Sequence, residues 1–73
     1  MFLMVEVKHY WVVTDLYRKG WRTNRSIEKT DYKLKDCIQC DEHSTLIRKV
    51  FNSEKLAHKY MQTHNSDYLR NNL

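Results

Sequence analysis

Between residues 4 and 13 the chain alternates. Val5, Val7, His9, Trp11 and Val13 fall on one face of an extended segment, and Glu6, Lys8 and Tyr10 on the other. That period of two, in β-branched and aromatic residues, predicts a strand with one buried face. With 73 residues in all, little chain is left to cover that face. A domain of this size buries only about 60% of the surface its unfolded form exposes. It has room for one sheet and one or two helices, and hardly for a deep substrate cleft. The 41% apolar and 30% charged residues are those of a globular chain. Pro 0 and Gly 1 are unusual, because turns and helix ends commonly recruit both.

The segment 15–21, DLYRKGW, holds the one glycine and is expected to form a turn or wide loop. Residues 22–30, RTNRSIEKT, are polar without a clear period. From 32 to 40 the even positions read Tyr32, Leu34, Asp36, Ile38 and Cys40, a strand pattern broken once by Asp36. A helix competes over 24–40, since Ile27, Leu34 and Ile38 are seven and four apart. The strand is preferred, because DEHS (41–44) then makes a hairpin loop into TLIRKVF (45–51), the return strand. Asn52 or Ser53 caps a helix with Glu54 in its first turn. Leu56, Ala57, Tyr60, Met61 and His64 draw its apolar stripe. Residues 65–73 are expected to fray, with Tyr68 and Leu69 able to extend the helix. The expected architecture is a single α+β domain over 1–73: an antiparallel sheet of about three strands with one C-terminal helix packed across one face.

Formal net charge is +4, and it is local. Residues 18–35 hold seven basic side chains (Arg18, Lys19, Arg22, Arg25, Lys29, Lys33 and Lys35) against Glu28 and Asp31. The rest of the chain carries six bases and seven acids. Tyr17, Trp21 and Tyr32 are interleaved with the basic residues. Such a surface attracts phosphate oxygens or acidic protein surfaces, although a solvated hairpin that only keeps the protein soluble has the same composition. The candidate partner-binding residues are Tyr10, Tyr17, Arg18, Lys19, Trp21, Arg22, Arg25, Tyr32, Lys33 and Lys35. Trp11 falls on the core face instead.

CIQC places Cys37 and Cys40 at the spacing of a zinc knuckle. Read with His58 and His64, and with the run FNSEKLAHKYMQTH, residues 37–64 resemble a two-Cys-two-His zinc finger. The resemblance implies a zinc ion held by Cys37, Cys40, His58 and His64, with His43 as an alternative ligand. Seventeen residues separate Cys40 from His58, where such fingers use about twelve. His58 and His64 are six apart, about 600° around a regular helix, and Cys37 and Cys40 point to opposite faces of a regular strand. The competing reading makes Cys40 a buried apolar residue and Cys37 a half-exposed free thiol, and gives the histidines surface or packing roles.

No Gly-rich phosphate loop, GxSxG, HExxH or DxDxDG is present, and the carboxylates are not paired by spacing. The chain is therefore expected not to be an enzyme. No apolar run approaches the 18 residues of a membrane helix. The opening MFLMV is too short for a signal-peptide core, so a cytoplasmic protein is expected. In composition and in the junction VFNSEKLAHKYM the chain resembles the small accessory proteins of bacteriophages. That resemblance implies a viral protein in the host cytoplasm that inhibits or modulates a host protein complex. The alternative is DNA or RNA binding through 18–35, with bases stacked on Tyr17 or Trp21. An exposed edge strand could also pair a second copy into a homodimer.

Overall fold

The computed structural model describes residues 8–69. The chain is α+β: a four-stranded antiparallel sheet with one C-terminal helix against β1 and β4. The elements are β1 (Tyr10–Arg18), β2 (Trp21–Thr30), β3 (Cys37–Cys40), β4 (Ser44–Phe51) and α1 (Glu54–Thr63), with sheet order β2-β1-β4-β3. Residues 4–7 of the expected first strand lie outside the described residues, and Lys8 and His9, also expected in it, precede β1.

The first strand runs further than the alternation suggested. Asp15–Arg18 were expected in a loop, yet they continue β1, and the turn is confined to Lys19 and Gly20. Both have positive φ, 53° and 84°. That is the pairing a type I′ hairpin turn requires, because its twist matches that of the flanking strands. The polar stretch 22–30, expected to be irregular, is most of β2. It carries few apolar residues because it lies at the sheet's edge, where only the side chains aimed at the helix need cover.

Pairing of β1 with β2 runs in register from Tyr10↔Thr30 to Leu16↔Asn24 and then shifts, so that Tyr17 faces Arg22 and Thr23 has no partner. This bulge changes which side chains share a face. Arg22 and Arg25 are three apart, an odd separation that would send them to opposite faces of a regular strand. The extra residue returns Arg22 to the side of Arg25.

One face of the sheet carries Trp11, Val13, Asp15 and Tyr17 with their cross-strand neighbours Phe51, Lys49, Ile47 and Thr45. The helix packs on this face, with the Tyr60 ring 5.3 Å from that of Phe51. Val13, Tyr17, Ile47 and Ala57 are buried there, and Val12 is buried on the opposite face. Of the expected helix stripe, Ala57 is fully buried, Tyr60 and Met61 are half-buried, and Leu56 and His64 are exposed. Ser53 caps the helix, accepting the Leu56 N–H, and Glu54 lies in the first turn as expected.

Two further expectations are corrected. The strand proposed over 32–40 is only Cys37–Cys40, and the competing helix over 24–40 is absent. The reason is topological. β2 and β3 are opposite edges, about 14 Å apart across three strand spacings. The six residues between them reach about 20 Å when extended but only about 9 Å as a helix. The segment must therefore cross the sheet end in an open conformation. Residues 65–69 do not extend the helix: they turn back to the β1–β2 hairpin, where Leu69 N–H donates to Gly20 O (2.6 Å) and Arg22 N–H to Asp67 O (2.7 Å).

The turn generates a pair of opposite expectations. A Cβ on Gly20 would stand 2.8 Å from Tyr68 Cε2 at a φ of 84°. Gly20→Ala should lower stability by about 1–2 kcal/mol. Lys19→Asn, which eases a left-handed residue, should raise it by about 0.5 kcal/mol. Urea unfolding followed by circular dichroism measures both.

Candidate partner-binding surface

The basic segment does not present its charges as one patch. Its two central arginines are turned inward. Asp15 is 1% exposed, and Arg25 closes on it with Nε to Oδ1 at 2.6 Å and Nη2 to Oδ2 at 3.0 Å. The same guanidinium donates Nη1 to Met61 O at 3.0 Å and Nη2 to His64 O. Arg22 adds Nη1 to His64 O at 3.4 Å and Nη2 to Asp67 Oδ1 at 3.0 Å. Two arginines of β2 thus satisfy carbonyls at the helix C-terminus, a position where glycine commonly ends a helix. Their positive charge also complements the negative end of the helix dipole. The hydrogen-bonded Asp15 raises the Arg25 pKa above its ordinary value, outweighing the burial that lowers it. Burial raises that of Tyr60, with the nearby Asp15 charge acting in the same direction.

The remaining candidates fall at the two ends of the β1–β2 ribbon, about 25 Å apart over eight residues of strand. At the hairpin tip stand Arg18 and Lys19, both exposed, with Trp21 held edge-on against Tyr68 at 4.9 Å between ring centroids. Tyr17, nearby in sequence, is buried in the core. At the other end are Tyr10, half-buried, and the exposed Tyr32, Lys33 and Lys35 on the crossover segment. Tyr32 is the most open of the large apolar side chains among the described residues, at 72%.

The crossover makes a cleft at this second end. Arg48 Nε donates to Lys35 O (2.9 Å), the Val50 N–H donates to Asp36 Oδ1 (2.7 Å), and Lys49 Nζ stands 3.8 Å from Asp36 Oδ2. These bonds pin residues 35–36 to β4. Between the crossover, the start of β1 and the first turn of α1 lies an open cleft of about 1010 Å³. Trp11, Leu34, Val50, Phe51 and Leu56 supply its apolar lining, and Lys8, His9, Lys33 and Lys35 its basic one. Lys29 Nζ lies 5.9 Å from the centre of the Trp11 ring, at the outer limit of a cation–π contact. Of these residues, sequence reasoning named only Lys33, Lys35 and Tyr10 as binding candidates. Lys8, His9, Phe51 and Leu56 join them through sheet topology, which no local pattern announces.

The structure does not bring the zinc candidates together. Cys37 and Cys40 lie opposite Arg48 and Thr45 in the β3–β4 ladder, three residues apart on a strand and so on opposite faces; Cys37 is half-buried as expected, but Cys40 is exposed rather than buried, because β3 is an edge strand. His58 is on the exposed helix surface beside Glu54 (3.6 Å), and His64 stacks on Tyr60 at 4.3 Å. His43 sits in the β3–β4 loop. Among the described residues no three His, Cys, Asp or Glu side chains converge in a geometry that could hold an ion. No described helix is long and apolar enough to cross a membrane. No protein-family model, curated protein or solved structure matches the chain.

Two predictions follow from the polar contacts. Arg25→Met leaves Asp15 buried without its partner and should cost about 3–5 kcal/mol, comparable to the whole stability of a small domain. Asp15→Leu combined with Arg25→Met should recover most of that loss, as read by urea unfolding. Asp41 accepts the His43 N–H, the Ser44 hydroxyl and the Ser44 N–H, which together hold its pKa below the ordinary carboxylate value. A carboxylate lowered in the folded state stabilises above its unfolded pKa, about 3.9. That contribution disappears as pH falls through the folded value. Thermal unfolding between pH 7 and pH 2 should therefore show a shallower acid decline in Asp41→Asn than in the parent.

Proposed function

We propose that this chain is a non-catalytic docking protein that binds a cellular protein complex, most simply as an inhibitor or modulator of it. The observation that carries this reading is the distribution of its apolar side chains. Trp21, Tyr32, Leu34, Ile38, Leu56 and Tyr68 are exposed, whereas the buried apolar set is Val12, Val13, Tyr17, Ile47 and Ala57. Six large apolar side chains among the described residues, three of them aromatic, are thus offered to the surface, where aromatic anchors dominate protein–protein binding energy. The one buried charged side chain among the described residues, Asp15, is closed by Arg25 and so is a structural group rather than a reactive one.

The fate of the basic segment weighs against the nucleic-acid alternative. Backbone recognition requires cations free to meet phosphates. Arg22 and Arg25 are engaged with Asp67, Asp15 and the helix carbonyls, and the free cations divide between two ends of the ribbon. Neither end alone forms a continuous basic track. The outer edge of β2 beyond Arg22 has no strand partner among the described residues, and it is the edge through which a second copy would pair.

An affinity pull-down with and without nuclease treatment tests both partners at once. The expected result is a discrete protein retained in stoichiometric amount after nuclease digestion, with no gel shift of single- or double-stranded oligonucleotides at low salt. Retention that vanishes with nuclease, accompanied by salt-sensitive oligonucleotide binding, would replace this reading with the nucleic-acid one.

A further inference from the structure

The cleft at the crossover end combines two properties that neither a structural groove nor a phosphate site requires together. Leu34 and Leu56, 39% and 48% exposed, line it with the half-buried rings of Trp11 and Phe51. The exposed parts of this lining are covered by nothing among the described residues; covering them would release about 25 cal/mol for each Å² removed from water. Around it stand Lys8, Lys33 and Lys35, all exposed. The one acid in the lining, Asp36, already receives the Val50 N–H and faces Lys49. Among the described residues the unpaired charge of the cleft is therefore positive.

From this complementarity we propose that the cleft binds an acidic peptide segment of the partner protein: a bulky apolar side chain inserts between Leu34, Leu56 and the Trp11 ring, and flanking Asp or Glu carboxylates meet Lys33, Lys35 and Lys8. The proposal rests on the docking reading above and names the chemistry of its partner. The apolar anchor supplies affinity, and the lysine rim supplies orientation and rate of encounter. A nucleic-acid strand fits less well. Three lysines neutralise few phosphates, and the rings in the lining, Tyr10, Trp11 and Phe51, are half-buried, which limits the open face a base can stack on.

Selection of displayed random short peptides against the full chain tests this directly. The enriched sequences should combine at least one Leu, Phe or Trp with flanking Asp or Glu. Binding of the best peptide should weaken about tenfold in Lys33→Glu/Lys35→Glu, since like charges across an interface are strongly disfavoured. It should weaken about three- to tenfold in Leu56→Ala, and Trp11 fluorescence in a Trp21→Phe background should report occupancy. All four positions but Trp21 lie in the cleft, and Lys33, Lys35 and Leu56 are exposed, so circular dichroism of these variants should match the parent. Failure to enrich any sequence, enrichment without acidic excess, or binding indifferent to Lys33→Glu/Lys35→Glu would overturn the proposal. Enrichment of purely apolar sequences like the chain's own MFLMV would assign the cleft to residues 1–5 instead. Oligothymidine binding lost in Lys33→Glu/Lys35→Glu would assign it to nucleic acid. A pull-down partner retained at full strength by Lys33→Glu/Lys35→Glu would keep the docking reading and remove this one.

Discussion

The Arg25 guanidinium ties the C-terminal end of α1 to the paired strands β1 and β2. Its Nε and Nη2 grip Asp15 on the central strand β1, and its Nη1 and Nη2 reach the carbonyls of Met61 and His64 at the end of α1. The apolar core beneath is small: Val13, Tyr17, Ile47 and Ala57 on the helix face. A core of that size holds a helix over a sheet by only a narrow margin. A planar fork with five donors is suited to close both a carboxylate and a helix end, which a lysine could not do. Burying Asp15 would be prohibitive alone, and the fork makes it tolerable. Arg22 reaches the same helix end because the bulge at Thr23 turns it to that side. The helix therefore needs neither a C-terminal glycine nor a cation in its own last turn. The near-absence of glycine from the chain is compatible with ordered helix ends for this reason.

Legibility in the sequence followed the strength of local pattern. The β4 strand and the capped helix were readable, since TLIRKVF is β-branched and Asn52-Ser53-Glu54 marks a helix start. The Lys19-Gly20 turn was readable only as a region, because the apolar positions of 15–18 continue the strand while Gly20 alone signals the reversal. β2 was not readable at all. Its inward side chains include Arg22 and Arg25, and arginines that serve a core network look identical in sequence to arginines that serve a partner. Asp36 did carry a local signal: the interruption it makes in the 32–40 pattern coincides with the end of the crossover, where its carboxylate takes the Val50 N–H.

The surface was legible in composition and misleading in position. A local excess of basic residues suggested one patch over 18–35. In three dimensions two of those cations are interior, two sit at the hairpin tip and three gather at the opposite end. The apolar partners of that last group, Phe51 and Leu56, come from a part of the sequence with no basic excess. Sheet order decides this. Because β2 and β3 occupy opposite edges, the chain between them must pass over the ends of β1 and β4, and it brings Lys33, Leu34 and Lys35 to the start of α1.

That separation has a physical consequence for how such a small protein can carry a binding surface. Every exposed leucine or lysine at the cleft is stability forgone, and a domain with so few buried side chains has little to forgo. The elements that secure the fold lie elsewhere: the Arg25 fork, the C-terminal end of α1, and the return of residues 67–69 to the hairpin. The cleft uses the other end of the helix, where Ser53 already satisfies a backbone donor. Its crossover is tied down by backbone and Asp36 contacts to β4 rather than by apolar packing. The Lys33, Leu34 and Lys35 side chains take no part in those bonds and can therefore vary in size and charge without loosening the segment that displays them. A chain too small for a roomy active site can still offer a fixed, chemically mixed groove, provided that hydrogen bonds between side chains and backbone hold the groove's wall in place.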